Sequence, residues 1–105
     1  MKMRKALKRA AGVLQHGFRD ELARLGGELH VWSRKGIHRA GRTLVLTATV
    51  EFDELYEHID IDVATRRWFS RHWREIRSVD EAARLVGNEI RRWVSDAQSE
   101  MGATS

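Results

Sequence analysis

Apolar side chains at the start of the chain recur every three or four residues, over residues 3 to 25. This spacing places them on one face of a helix, and Gly26 and Gly27 follow where such a helix would end. Two glycines inside the helix, Gly12 and Gly17, each cost up to about 1 kcal/mol relative to alanine. Small residues at these positions suggest close packing, either on the sheet or on a second copy of the chain.

A second amphipathic pattern begins at Ser78, in the sequence SVDE. This is a capping box, in which the Ser78 hydroxyl accepts from the backbone N–H of Glu81 and the Glu81 carboxylate accepts from the N–H of Ser78. Apolar residues follow at helical spacing and predict a helix from Val79 to about Gln98. Residues 1 to 2 and 99 to 105 are expected to be frayed.

Between the helices the apolar period shortens to two, which predicts β-strands. The predicted strands are Glu28–Arg34, Arg42–Phe52 and Glu57–Val63, and the glycine-bounded stretch KGIHRAG connects the first two. Connections this short exclude parallel crossovers, so the strands form an antiparallel meander. The expected fold class is α+β, with a long N-terminal helix, an antiparallel meander of three or four strands and a C-terminal helix packed on the same sheet. One domain covers residues 1–105.

The segment TRRWFSRHWREIRS, from Thr65 to Ser78, fits two structures. As a helix it would bury its aromatic residues and Ile76 on one face. As a strand, Trp68 to Trp73 would pair with Glu57–Val63 and supply a fourth strand. The strand is favoured because the preceding strand would otherwise have fewer partners, but the helix stays open. In both structures several arginines point outward.

Charge is segregated along the chain, although the formal total is only +4. The first nineteen residues contain six basic side chains and no acid, and residues 63 to 77 contain five arginines. The stretch EFDELYEHIDID, from Glu51 to Asp62, contains six carboxylates and no base apart from a histidine. This pattern predicts separate basic and acidic surfaces.

Composition excludes several classes of protein. The chain has no cysteine, so disulfides and thiolate metal sites are impossible, and a reducing, cytoplasmic location is expected. No apolar run approaches the roughly 20 residues of a membrane span. The motifs GxxxxGK[ST], GxGxxG and HExxH are all missing. We therefore expect a protein that is not an enzyme, needs no cofactor and does not contact a membrane.

The basic segments suggest a nucleic-acid-binding protein. Arginine supplies forked donors for phosphate, and exposed aromatic rings can stack on bases. The predicted DNA- or RNA-binding residues are Lys5, Lys8, Arg9, Arg66, Arg67, Arg71 and Arg74. The competing interpretation is structural: Trp68, Phe69, Trp73 and Trp93 fill the core, and the arginines only solvate its outside.

The acidic stretch has three interpretations. His58, Asp60 and Asp62 would project from one side of a strand, about 6.6 Å apart in succession. Alternating polar residues of this kind are typical of a solvated sheet face. Alternatively Glu57, Asp60 and Asp62 form a protein-binding patch, as in a phage-type inhibitor or structural accessory protein. The third interpretation is a metal site in a hydrolase, which would need a further ligand from a neighbouring element.

The order of long helix, strands and closing helix, over residues 3 to 62 and 79 to 98, is similar to that of the YbaB-type nucleoid proteins. These are small dimers, and the likeness implies that a homodimer is plausible here. No sequence motif accompanies this order, and TRRWFSRHWREIRS departs from it, so the likeness identifies no family. The first helix and the edge strand Glu28–Arg34 are the predicted dimer contacts.

Overall fold

A computed structural model of the protein describes residues 2–38, 41–63, 67–68, 76 and 78–104. The elements are α1 (Lys2–Arg24), β1 (Glu28–His38), β2 (Gly41–Glu51), β3 (Tyr56–Asp62), β4 (Arg67–Trp68) and α2 (Val79–Thr104). The strands form one antiparallel sheet in the order β1-β2-β3-β4. The predicted α+β class, with both helices on the same sheet, is confirmed.

The first helix ends as its glycines predict. Gly26 has a φ of 85°, a left-handed conformation that favours glycine. Its N–H donates to the carbonyl of Ala23 at 3.0 Å, and the N–H of Gly27 donates to the carbonyl of Leu22 at 2.8 Å. This pair of bonds is a Schellman motif. Gly27 must also be small, because an added Cβ would lie 2.7 Å from the ring of Phe52.

The two glycines inside α1 do not have the role that the sequence suggested. Gly12 and Gly17 are exposed, and a Cβ added at either one would meet nothing within 4 Å. The expectation that they allow close packing on the sheet is therefore wrong, because both lie on the solvent side of the helix.

The second helix begins at its predicted cap and is longer than predicted. The backbone N–H of Glu81 donates to the Ser78 hydroxyl at 3.1 Å, which confirms the cap. The helix then continues to Thr104 instead of ending near Gln98. No proline interrupts the pattern and the single Gly102 is tolerated, so the helix includes residues 99 to 104, and their expected fraying stays a prediction. At the other end of the chain, Lys2 is already helical.

The hairpin of β1 and β2 is also longer than predicted. Lys35 to His38, assigned from the sequence to a connection, pair with Gly41 to Leu44. Ladder hydrogen bonds join backbone groups whatever the side chains, so polar residues and glycine do not end the strands here. The predicted connection shrinks to residues 39 and 40, which lie outside the described residues.

Both helices pack on one side of the sheet, which we call the inner face. α1 lies against β1, and α2 lies against β2 and β3. The predicted alternation is confirmed for β1, β2 and β3, because alternate apolar residues of these strands join the core on this face. Buried apolar side chains come from all five of these elements and include Leu7, Leu22, Leu29, Leu46, Val50, Ile59, Ile61, Leu85, Val86, Ile90 and Trp93.

Of the ambiguous segment from Thr65 to Ser78, the structure describes residues 67, 68, 76 and 78. Arg67 pairs with Asp62 and Trp68 pairs with Ile61, both antiparallel. The start of the predicted fourth strand is thus confirmed, and Ile76 is buried in the core. Residues 69 to 75 lie outside the described residues, and with them the rest of the strand-or-helix question.

Candidate functional site

The N-terminal half of α1 carries four exposed cations, Arg4, Lys5, Lys8 and Arg9, which we call the basic surface. Within the described part of the chain none of them forms an ion pair. The first carboxylate along the helix is that of Asp20, and it lies 3.4 Å from Arg19. The positive charge of the basic surface is therefore not neutralised by its neighbours.

The arginines of α2 are different, because two of them are paired with carboxylates on the same helix. Arg84 lies 3.8 Å from Glu81. Arg92 donates to Glu89, and this hydrogen bond raises the pKa of Arg92 because it stabilises the charged form. The cations of the basic surface on α1 therefore produce a positive surface potential, whereas the charges of Arg84 and Arg92 on α2 are balanced by nearby carboxylates.

A groove of about 380 Å³ separates the N-terminal half of α1 from β1, and we call it the edge groove. It is lined by Arg4, Leu7, Lys8, Ala11, Gly12, Val31, Trp32, Ser33, Arg34, Lys35 and Leu44. Four of these residues are cationic and none is acidic. The groove thus continues the basic surface from α1 onto the first strand.

Gln15 connects α1 to the free edge of β1. Its side-chain nitrogen donates to the carbonyl of Leu29 at 2.9 Å, and its side-chain oxygen accepts from the N–H of Val31 at 2.6 Å. β1 is the first strand of the sheet and has no strand on this side. The amide of Gln15 therefore replaces a neighbouring strand over two residues of the edge.

The side of the sheet away from the helices, the outer face, carries a polar row across three strands. The Arg34 guanidinium donates to the Thr47 hydroxyl at 3.4 Å and lies 3.7 Å from Asp60. Thr47 in turn donates to Asp60 at 2.7 Å. Trp32 lies beside this row and is 41% exposed. No described helix covers the outer face.

The acidic residues predicted to form a protein-binding patch do not all lie on one face of the sheet. Asp60 belongs to the polar row, and Asp62 is only 1% exposed, opposite Arg67 in the sheet register. Glu57 points to the other face, where it lies opposite Val50. The expectation of a solvated face is therefore wrong at Asp62. His58 is exposed, and its ring stacks on that of Tyr56 at 5.9 Å.

Carboxylates collect instead at the opposite end of the molecule. A cavity of about 440 Å³ lies between the end of α1, the β2–β3 turn and the second half of α2. Its lining includes five acids, Asp53, Glu54, Glu57, Asp96 and Glu100, and no cation. Trp93, which is 3% exposed and belongs to the core as its aromatic character suggests, also lines the cavity.

The described members of the two groups of predicted nucleic-acid-binding residues lie at different edges of the sheet. Lys5, Lys8 and Arg9 are on α1, which packs on β1, whereas Arg67 is in β4 at the other edge. The side chain of Arg67 is not described, and Arg66, Arg71 and Arg74 lie outside the described residues. The described structure does not bring the two groups into one groove.

The described residues form neither a metal site nor a membrane-spanning helix. No group of three His, Asp or Glu side chains is placed to hold a metal ion, so the metal-site interpretation of His58, Asp60 and Asp62 gains no support. None of the described helices is long and apolar enough to span a membrane.

Comparison of the chain with protein-family models, with curated proteins and with solved structures finds no significant match.

The sequence did not predict a role at this site for four residues: Arg4, Gln15, Arg34 and Lys35. Gln15 carries the clearest signal, because it is a polar residue beside the apolar positions Leu14 and Phe18. A long polar side chain at such a position often bonds to backbone groups nearby. The cations of β1 carry no signal, because their position beside α1 depends on the packing of the helix.

Proposed function

We propose that this protein is a small non-enzymatic module that binds nucleic acid through the basic surface of α1. The observation that carries the proposal is the uncompensated charge of Arg4, Lys5, Lys8 and Arg9. These cations are exposed on one rigid helix, so they reach a phosphate backbone without prior rearrangement. The proposal requires no cofactor and no metal ion.

Binding of this kind draws its free energy mainly from the release of counterions from the nucleic acid. It is therefore strongly salt dependent and largely independent of base sequence. Arg66, Arg67, Arg71 and Arg74 are proposed as a second contact. Because β4 lies at the far edge of the sheet, this contact would meet a different part of the nucleic acid from the one held by α1.

The test measures fluorescence anisotropy of labelled double-stranded DNA, single-stranded DNA and RNA across a salt series. We expect binding at low salt, with the logarithm of the affinity falling by about 0.9 per phosphate contact for each tenfold rise in salt on duplex DNA. The variant with Lys5→Ala and Arg9→Ala should bind more weakly and with a shallower salt slope.

The matched control is the variant with Arg84→Ala and Arg92→Ala, which removes the same amount of charge from compensated sites on α2. An equal loss in both variants would show that net charge alone acts and would contradict the proposal. A variant with alanine at Arg66, Arg67, Arg71 and Arg74 tests the second contact separately. No affinity at low salt for any of the three nucleic acids would end the proposal.

A homodimer stays a prediction, and the mass of the protein in solution, measured with and without nuclease, tests it together with any co-purifying nucleic acid.

A further inference from the structure

Half of the free edge of β1 has unpaired backbone groups. In an antiparallel strand the N–H and C=O of alternate residues point to the same side. Gln15 bonds to Leu29 and Val31, so the groups of Ser33 and Lys35 point to that side as well. Among the described residues no hydrogen bond reaches the carbonyl of Val31 or the backbone of Ser33 and Lys35 on this side.

This open half of the edge coincides with the edge groove. The groove flanks β1 from Val31 to Lys35, between the strand and α1. Leu7, Ala11 and Leu44 give it an apolar part. Arg4, Lys8 and Lys35 give it three positive charges, whereas the guanidinium of Arg34 lies on the outer face beside Asp60. A ligand that fits must supply backbone hydrogen bonds, some apolar contact and negative charge.

We propose that the open half of β1 is a strand-addition site for an extended, acidic segment of a partner protein. The segment would lie in the edge groove and add a fifth strand to the sheet. Its backbone would pair with Val31, Ser33 and Lys35, in continuation of the bonds that Gln15 makes to the first part of the edge. Strand addition of this kind takes affinity from main-chain hydrogen bonds and specificity from side chains.

Charge argues against a second copy of the chain as the occupant. Pairing of two β1 edges over their open halves would bring Lys35 of one copy close to Lys35 of the other, with Arg4 and Lys8 of both copies nearby. No carboxylate lines the groove to offset this repulsion. Residues 56 to 62 of the acidic stretch are also not free to bind in the groove of a second copy, because they form β3, which pairs with both β2 and β4.

Gly12 provides a way to close the groove without disturbing the fold. It lines the groove, it is exposed, and a Cβ there meets nothing within 4 Å. Any residue other than proline should be tolerated, since only proline is a poorer helix former than glycine. Gly17 is equally exposed and unobstructed but does not line the groove. Gly12→Trp and Gly17→Trp are therefore a matched pair of variants.

The probe is a labelled peptide in which valine alternates with glutamate, about eight residues long to span the groove at about 3.3 Å per residue. We expect it to bind, and a peptide with lysine in place of glutamate not to bind. Gly12→Trp should weaken binding by about tenfold or more, equivalent to the loss of one or two backbone hydrogen bonds. Gly17→Trp should bind as the unmodified protein does. The amide signals of Ser33 and Lys35 should gain protection from hydrogen exchange in the complex.

A second pair of peptides separates strand addition from simple attraction between charges. Two positional isomers, methylated on alternate backbone nitrogens, have equal charge and composition. Only the isomer whose methyl groups face β1 should lose affinity. Equal binding of both isomers, or equal binding by the Gly12→Trp and Gly17→Trp proteins, would overturn the proposal. So would protection of Ser33 and Lys35 in the free protein together with a doubled mass, which would identify a second copy.

The proposal is independent of nucleic-acid binding. Lys5 and Arg9 do not line the edge groove, so alanine at both positions should leave the difference between the two methylated peptides unchanged. Gly12→Trp leaves every cation of the basic surface in place. Failure of either proposal can thus be recognised without reference to the other.

Discussion

At the scale of single residues, Gln15 decides how the first helix meets the sheet. Its amide has an NH2 group that donates and a carbonyl oxygen that accepts, spaced so that together they can imitate a peptide group of a neighbouring strand. The NH2 group donates to the carbonyl of Leu29, and the carbonyl oxygen accepts from the N–H of Val31. The side chain therefore fixes α1 along the strand as well as satisfying half of an exposed edge.

We expect Gln15→Ala to lower the free energy of unfolding by about 1 to 2 kcal/mol, because two part-buried hydrogen bonds are lost. Urea denaturation monitored by circular dichroism measures the change. The control is Gln98→Ala, an identical substitution at an exposed position of α2, which should change stability by less than about 0.5 kcal/mol. Equal stability of the two variants would show that the Gln15 bonds contribute nothing.

At the scale of elements, the two helices have similar amphipathic patterns and different polar surfaces. The first turn of α2 contains Asp80 and Glu81 and is capped by Ser78, so acids meet the positive end of the helix dipole. The first turn of α1 contains no acid and several bases. This arrangement is unfavourable for an isolated helix. The packing of α1 on β1, together with Gln15, offsets it.

The cap of α2 gives a prediction at this scale. Ser78→Ala should destabilise the protein by about 1 kcal/mol, because the N–H of Glu81 loses its acceptor. Ser95→Ala, in the exposed interior of the same helix, should instead be neutral or slightly stabilising, since alanine is the better helix former. Thermal unfolding compares the two. A loss of stability at Ser95 as large as that at Ser78 would contradict the role of the cap.

At the scale of the whole molecule, the two concave regions have opposite charge and lie at opposite ends. The edge groove adjoins the start of α1, and the acidic cavity adjoins its end. At about 1.5 Å per residue, Lys8 near the middle of the groove lining and Leu25 at the cavity are about 25 Å apart along the helix axis. The net charge of +4 is therefore the sum of a basic end and an acidic end, and it is not the charge of either one.

This separation predicts opposite salt effects for two kinds of association. Pairing of two copies through their β1 edges should be opposed by repulsion and should strengthen as the Debye length falls from about 10 Å at 0.1 M to about 3 Å at 1 M salt. Nucleic-acid binding should weaken over the same range. Sedimentation velocity of nuclease-treated protein measures self-association. We expect no pairing through the β1 edges at low salt. A low-salt oligomer that salt dissociates would indicate contact between the basic and the acidic ends instead.

Sequence periodicity alone determined the two helices, the three main strands and the faces they bury, because these depend on residues a few positions apart. The helix end at the glycines after Leu25 and the cap at Ser78 could also be predicted from the sequence. Strand ends were misjudged at Lys35 to His38, since backbone pairing there does not depend on side-chain pattern. Tertiary structure alone decided that Gln15 covers part of an edge, that Asp62 is buried and that Arg34 and Lys35 join the cations of α1. These properties depend on which element packs against which, and no local pattern in the chain encodes that choice.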